Sequence, residues 1–235
     1  MKTKLITLIL SSMASFYFLS CTANSTITIN RNGAGNASIQ ISIPKEIVAY
    51  YHDLAEIKGP SGSSDFLNKE ELKKALSSIK GLVLKDLQLP KDNELLLALS
   101  FSDLNSILAD KRLLPFKEHI EFQAGNENKL LLKQLDISFF AKLCRLLITD
   151  PQVNVDDFLP LKGETPQDYY ARMDYLFENT KALVQKATIS LTFNVEGRVL
   201  KHNGVLIKEN SVHFTKSLEE ILFARAPLSF YVTFQ

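Results

Sequence analysis

The chain has 235 residues and is almost neutral, with 27 Lys and Arg residues against 26 Asp and Glu residues. It therefore has no basic surplus for holding nucleic acid phosphates. Hydrophobic residues make up 46% of the chain, enough for one domain with a sizeable core or for two small domains.

Residues 1–20 have the pattern of a secretory signal peptide. Lys2 and Lys4 give a positive start, and an apolar run without charge extends from Leu5 to Leu19. This run of roughly fifteen residues is shorter than the ~20 that a transmembrane helix needs. Its removal takes away two lysines and no acid, so the mature chain has a net charge of about −1 and no nucleic acid partner is expected.

The stretch Phe18-Leu19-Ser20-Cys21 resembles the lipobox of bacterial lipoproteins, although Phe18 stands at the position usual for Leu. The resemblance implies cleavage before Cys21 and multiple acylation of that cysteine, with palmitate-type chains, which holds a protein firmly on a membrane. Residues 21–25 would then be a lipidated tether. Ordinary secretion with an unmodified Cys21 and an uncleaved anchor are the alternatives.

Alternating and helical patterns follow in chain order from residue 26. They predict a hairpin at 26–30 and 37–43, a helix from Pro44 to Ile57, a loop at 59–64, a helix from Lys69 to Ile79, a hairpin at 82–89 and 95–101, a short helix at 102–109, and a hairpin at 116–122 and 129–135. The second half predicts a helix at 139–148, an irregular segment at 151–164, one helix from Thr165 to about 183, a strand at 187–195, paired strands at 205–207 and 211–214, a short helix at 217–223 and a last strand at 228–234.

Strands outnumber helices in this order and are joined by short turns, which is typical of antiparallel pairing. We therefore predict an α+β fold, with a mostly antiparallel sheet built from hairpins and helices packed on one face. Residues 26–235 would form a single domain, and 138–185 could be a helical insertion within it.

Two blocks resemble the LppM-type domain of bacterial envelope lipoproteins. The first is Gly35–Ile43 together with Leu97–Leu104, and the second is Ile189–Gly204 together with Ser211–Phe214. Glu196-Gly197 replaces the family's Pro-Gly turn, and Phe214 stands where Trp is usual. The resemblance implies an envelope lipoprotein, lipid-anchored to a membrane on the periplasmic or surface side, with an α+β domain able to bind lipid in an apolar cavity.

Aromatic and aliphatic side chains at helical spacing are usually plain core, but they also line apolar ligand sites. The candidate pocket residues are Phe139, Leu143, Tyr169, Tyr170, Met173 and Phe177. Cys144 lies in the same apolar run, where a small core thiol is the favoured interpretation.

Sequence motifs that would indicate a catalytic or metal-binding site are weak. The four histidines, His52, His119, His202 and His213, form no metal motif, and neither a nucleophile elbow nor an EF-hand spacing occurs. By residue type, His52 with Asp53 offers a metal pair, Asp150 with Asp156 and Asp157 offers calcium ligands, and the serines at 61–64 offer nucleophiles. Surface or loop roles are favoured for all of them. No catalytic residue, metal or cofactor is predicted.

The sequence thus favours a non-enzymatic envelope lipoprotein that binds a lipid or another apolar ligand. The main alternative is a structural or protein-interaction module with no small ligand, whose partner is another envelope protein. A hydrolase with unrecognised residues is the third hypothesis.

Replacing Cys21 with Ala removes the only atom to which the predicted anchor could be attached. We expect C21A to leave the detergent phase in a detergent phase-partitioning assay, whereas the control C144A, which keeps Cys21, stays in it. Full retention of C21A in the detergent phase would contradict acylation at this residue.

Overall fold

The computed structural model describes residues 22–58, 67–147 and 154–235. The predicted signal peptide, Cys21, the serines at 61–64 and Asp150 lie outside the described residues, so the expectations that concern them stay predictions.

Eleven strands are present in the described ranges. They are β1 (Thr22–Ile29), β2 (Gly35–Ser42), β3 (Leu82–Lys91), β4 (Glu94–Phe101), β5 (Ile120–Gln123), β6 (Asn128–Leu135), β7 (Thr188–Val195), β8 (Val199–His202), β9 (Val205–Lys208), β10 (Ser211–Ser217) and β11 (Leu228–Phe234).

Eight α-helices accompany them in the same part of the chain. They are α1 (Lys45–Lys58), α2 (Lys69–Ser77), α3 (Leu104–Leu108), α4 (Leu114–Lys117), α5 (Ile137–Leu147), α6 (Pro166–Met173), α7 (Thr180–Lys186) and α8 (Leu218–Leu222). A 3₁₀ turn covers Val155–Phe158. None of the helices described is both long and apolar enough to cross a membrane.

The strands form two sheets. A seven-stranded sheet has the order β3-β4-β2-β1-β7-β10-β9, and a four-stranded sheet has the order β5-β6-β11-β8. All pairings are antiparallel except that of β1 with β7, which is parallel. The fold is therefore α+β with mostly antiparallel pairing, as predicted, but it has two sheets where one was expected.

The two faces of the seven-stranded sheet differ in chemistry because side chains alternate along each strand. One face is apolar, and on the three central strands it carries Ile27 and Ile29, Ile39 and Ile41, and Leu191 and Phe193. The other face, which we call the polar face, carries hydroxyl and amide side chains in lateral register: Thr26 lies between Ser38 and Thr192, and Thr192 lies opposite His213. The helices and the second sheet therefore pack on the apolar face.

Two different layers cover that apolar face. The four-stranded sheet covers the half of this face where β1 ends. There Phe193 stacks on Phe230 with ring centroids 5.0 Å apart, and Ile29 is fully buried. Helices α1 and α2 cover β2, β3 and β4, where Val48 and Leu72 pack against Leu97. A third cluster, formed by α5 to α8 with the 3₁₀ turn, continues this helical layer.

The first hairpin shows why its turn needs glycine. Gly33 has a φ of +83°, a conformation that a residue with a β-carbon adopts only with strain. A β-carbon added to Gly35 would lie 2.1 Å from the carbonyl oxygen of Thr28, too close for β1 and β2 to keep their register. The predicted hairpin is confirmed.

Strand β1 begins at Thr22, whereas residues 22–25 were assigned to a tether. Thr22 pairs with Ser42 of β2 and with Thr188 of β7. These four residues are strand because both of their edges are occupied by neighbours, which a local pattern does not reveal.

Two further boundaries were predicted wrongly. The segment expected to be a strand from Phe116 begins as helix α4, which has Pro115 in its first turn, a position that suits proline because its nitrogen has no hydrogen to donate. The single helix expected from Thr165 to about 183 is two helices, since Asn179 takes the left-handed conformation with φ +59°. Strand β8 was not predicted as a strand.

Candidate apolar-ligand site

A cavity of about 230 Å³ lies between the apolar face of the seven-stranded sheet and the helical layer. It is partly open, and its wall is almost entirely apolar. The volume lies between that of an engineered cavity of about 150 Å³ that binds benzene and the roughly 300–1,000 Å³ of drug-sized ligand sites.

Strand ends form the sheet side of this cavity. Ala23 of β1, Ile41 of β2 and Ile189 of β7 face it from three adjacent strands, and their pairing places Ala23 opposite both of the others. The small side chain of Ala23 leaves space at a point where Ile27 and Ile29, further along the same strand, fill the core.

Helices form the remaining wall. The lining residues are Ile47, Tyr50 and Tyr51 of α1, Phe140, Leu143 and Cys144 of α5, Val155, Phe158 and Leu159 of the 3₁₀ turn and its end, Tyr169 and Met173 of α6 with Phe177 after it, Thr180, Leu183 and Val184 of α7, and Leu218 and Leu222 of α8. The remaining lining residues are Ile43, Pro44, Leu67, Ala187 and Thr188.

Aromatic edges hold one side of the wall together. Tyr50 meets Phe177 edge to face with ring centroids 5.3 Å apart, and Phe158 lies 6.2 Å from Tyr50 in the same arrangement. Such pairs are worth about 0.5–1.5 kcal/mol beyond their area burial, so these rings give the wall a defined shape.

Four of the six predicted pocket residues line the cavity, namely Leu143, Tyr169, Met173 and Phe177. Two do not. Phe139 lies on another side of α5, with its ring 5.9 Å from Phe116 and 5.2 Å from His119, and Tyr170 turns toward α8, where its hydroxyl donates to a carboxylate oxygen of Glu219 at 2.5 Å. Tyr169 and Tyr170 are consecutive residues of α6 and point in directions about 100° apart around the helix axis, so only Tyr169 faces the cavity.

Two hydroxyl groups in the wall are hydrogen-bonded within the protein. The Tyr169 hydroxyl donates to the carbonyl oxygen of Phe158 at 2.9 Å, and the Thr180 hydroxyl donates to that of Phe177 at 3.1 Å. Burial raises the pKa of Tyr169 to about 12. These groups are neutral and already paired, so they favour an apolar occupant over one that needs hydrogen bonds.

Arg172 fixes the loop that carries Leu159. Its guanidinium donates to both carboxylate oxygens of Glu164, at 2.8 and 2.9 Å, and to the carbonyl oxygens of Asp157 and Leu159 at 3.1 and 2.8 Å. The hydrogen bond from Arg172 holds the pKa of Glu164 below its usual range. The pair therefore holds one wall of the cavity in place from outside.

The sequence patterns did not identify several residues of the sheet and of α1 as part of the cavity. Ala23 was assigned to a tether and Ile41 to plain strand alternation, and Ile47 and Tyr50 were recognised only as a helical stripe. Their convergence depends on the parallel pairing of β1 with β7 across more than 160 residues of chain, for which no local signal exists.

His119 is the most buried histidine, with 1% of its surface exposed. Its Nδ1 lies 3.1 Å from the carbonyl oxygen of Gln134, and its Nε2 lies 2.9 Å from Nζ of Lys142 and 3.2 Å from a carboxylate oxygen of Glu118. The ring thus ties β6 to α5 as a structural element.

The other chemical candidates are dispersed. Nδ1 of His213 lies 3.0 Å from the Thr192 hydroxyl on the polar face, which is not a cleft, and Asp156 pairs with Arg145. Over residues 22–58, 67–147 and 154–235 the structure shows no group of three or more His, Cys, Asp or Glu side chains placed to hold a metal ion.

Comparison with known proteins gives one distant likeness. No family model and no curated protein matches the chain. The NMR structure of the folded domain of the Mycobacterium tuberculosis LppM protein is similar with a TM-score of 0.42 and 13% sequence identity, over 92% of this chain and 89% of that chain. This is a distant structural resemblance.

Replacing Glu164 with Gln tests the support of the cavity wall. The carboxylate has a lowered pKa in the folded state, so its contribution to stability is present above the usual glutamate value and is lost as the pH falls through the folded value. At pH 7 we expect E164Q to lower the free energy of unfolding by about 1–2 kcal/mol, measured by urea denaturation. The difference should vanish at a pH low enough to protonate Glu164 in both states.

The matched control is D156N, which removes a carboxylate of the same loop from an exposed pair with Arg145. Its effect should stay below about 0.5 kcal/mol, as for most exposed ion pairs. An E164Q effect no larger than that of D156N, or one unchanged at low pH, would contradict the role given to Glu164.

Proposed function

We propose that this protein is a non-enzymatic envelope lipoprotein whose domain binds an apolar ligand, such as the acyl chain of a lipid, in the cavity between α1, α5, α6 and α7. The cavity is the observation that carries the proposal. The wall of the cavity offers apolar surface on all sides. The proposal includes no catalytic residue, cofactor or metal.

The chemistry of the wall favours an acyl chain. Each methylene group removed from water contributes about 0.8 kcal/mol. Because strands and helices both line the cavity, a chain inside it would contact several elements at once. The hydroxyls of Tyr169 and Thr180 already donate to carbonyl oxygens, so a polar ligand would find few open partners.

The anchor comes from the sequence. Acylation of Cys21, which the stretch Phe18–Cys21 indicates, would hold the domain at a membrane of the cell envelope. The apolar cavity would then lie close to the lipid bilayer, which is the source of acyl chains.

Ala23 gives a direct test of the cavity because a larger side chain there would point into it. The chain contains no tryptophan, so F158W places a single fluorescent reporter in the wall. We expect 9,10-dibromostearic acid to quench this reporter saturably in the delipidated protein, with at least tenfold weaker affinity when A23F is added.

The control is A98F, since Ala98 pairs with Ser38 and therefore shares the polar face. A98F should leave the affinity within about twofold, and thermal unfolding should show that all variants fold. The absence of saturable quenching in the F158W protein, or equal affinity for the A23F and A98F versions, would overturn the proposal.

A second candidate function, protein interaction, is favoured by strand β9. It is an edge strand of the seven-stranded sheet, and Val205, Leu206 and Ile207 are 67%, 48% and 52% exposed. An exposed apolar edge strand offers unpaired backbone groups to another strand.

The opposite edge of the same sheet lacks this character. Strand β3 carries Lys85, Asp86 and Pro90, and its pairing with β4 shifts register twice. Charges, proline and bulges are the features that keep an edge from pairing with another chain. The contrast between the two edges makes β9 the candidate contact.

Adding charge to β9 tests this candidate with a second copy of the chain as the partner. We expect concentration-dependent self-association in sedimentation velocity runs and its loss in the V205K/I207K variant. The control V83K adds a lysine at a residue of β3 that is 51% exposed and should not alter association. A monomer at all concentrations would exclude pairing between copies.

A further inference from the structure

The predicted anchor residue directly precedes a strand that lines the cavity. Cys21 directly precedes Thr22, the first residue of β1, and Ala23 lines the cavity. Two residues span at most about 7 Å. Chain length alone therefore keeps the predicted anchor residue within about 7 Å of Ala23.

Other residues at this end of the sheet agree with that placement. Thr22 pairs with Ser42 and with Thr188, and Thr188 itself lines the cavity, as do Pro44, which follows β2, and Leu218, which follows β10. The ends of four adjacent strands thus surround the cavity on the side where β1 begins.

The opposite end of β1 is far from the cavity. Ile29 lies seven residues beyond Thr22, a distance of about 23 Å along a strand, and it is buried under the four-stranded sheet. Acylation of Cys21 would therefore attach the anchor at the end of β1 that lines the cavity, and not at the end that lies under the four-stranded sheet.

We propose that the occupant of the cavity is an acyl chain of a bilayer lipid, taken directly from the leaflet that holds the Cys21 anchor. This inference rests on the proposed function. Direct transfer keeps the chain in apolar surroundings throughout, whereas a route through water exposes every methylene group. The closeness of Ala23 to Cys21 is what makes the direct route available.

Lengthening the connection between anchor and domain tests the route without altering the cavity. An insertion of twenty Gly and Ser residues between Cys21 and Thr22 separates the two by about 25 Å on average. The acylated full-length protein, its insertion variant and C21A are each combined with phosphatidylcholine vesicles containing 2 mol% of a phosphatidylcholine that carries a diazirine on one acyl chain. After illumination, adducts are mapped to residues by mass spectrometry.

We expect adducts on cavity residues such as Met173 in the acylated protein, an initial rate at least tenfold lower in the insertion variant, and a rate at least as low in C21A. Adding A23F should remove the cavity adducts, while A98F should keep them. Equal rates for the acylated protein and its insertion variant would overturn the direct route.

A parallel arm with a diazirine-labelled free fatty acid separates the two proposals. Cavity adducts from this probe in all three proteins, with no dependence on the insertion for the vesicle probe, would leave the proposed function standing and refute only the route. No cavity adduct from either probe would refute the proposed function itself. Stronger labelling of C21A than of the acylated protein would show that the anchor's own chain occupies the cavity, which also overturns the inference.

Discussion

One constraint organises the structure: the apolar face of the seven-stranded sheet must be covered along its whole length. Side-chain alternation gives β1, β2 and β7 the same apolar face, and no single element is large enough to cover it. The four-stranded sheet packs on the half where β1 ends, with Phe193 stacked on Phe230, and helices pack on the half where β1 begins. The cavity lies under the helices because Ala23 stands where bulkier residues such as Ile27 would fill the space.

Hydrogen bonds hold the loop of the helical layer that borders this space. Arg172 joins Glu164 to the carbonyl oxygens of Asp157 and Leu159, while the hydroxyl of Tyr169 binds the carbonyl oxygen of Phe158. These bonds fix the backbone of the loop without placing an unpaired polar group in the wall. An apolar interior and a hydrogen-bonded exterior are therefore two sides of the same short segment.

Local patterns were enough to predict most hairpins, the α+β class and four of the cavity residues, because alternation and capping act over a few residues. Features that depend on distant parts of the chain were not predictable in this way. The parallel pairing of Thr22 with Thr188 turned an expected tether into a central strand, and the expected single helix is divided before the left-handed Asn179. Phe116 was predicted to begin a strand, but it lies in helix α4 because the preceding Pro115 suits a helix start.

The polar face has a consequence for how the molecule meets its neighbours. Its central strands present uncharged polar side chains, among them Asn24, Thr26, Ser38, Gln40 and Thr192. Hydroxyl and amide dipoles act only over hydrogen-bonding distance, whereas ionised groups act over about 8 Å at physiological ionic strength. Charged side chains reach this face only on its outer strands, where Asp86 lies opposite Ala98 and Lys91 opposite Glu94. A neighbour that meets the centre of the face would therefore be held by short-range hydrogen bonds, with little help from charge attraction.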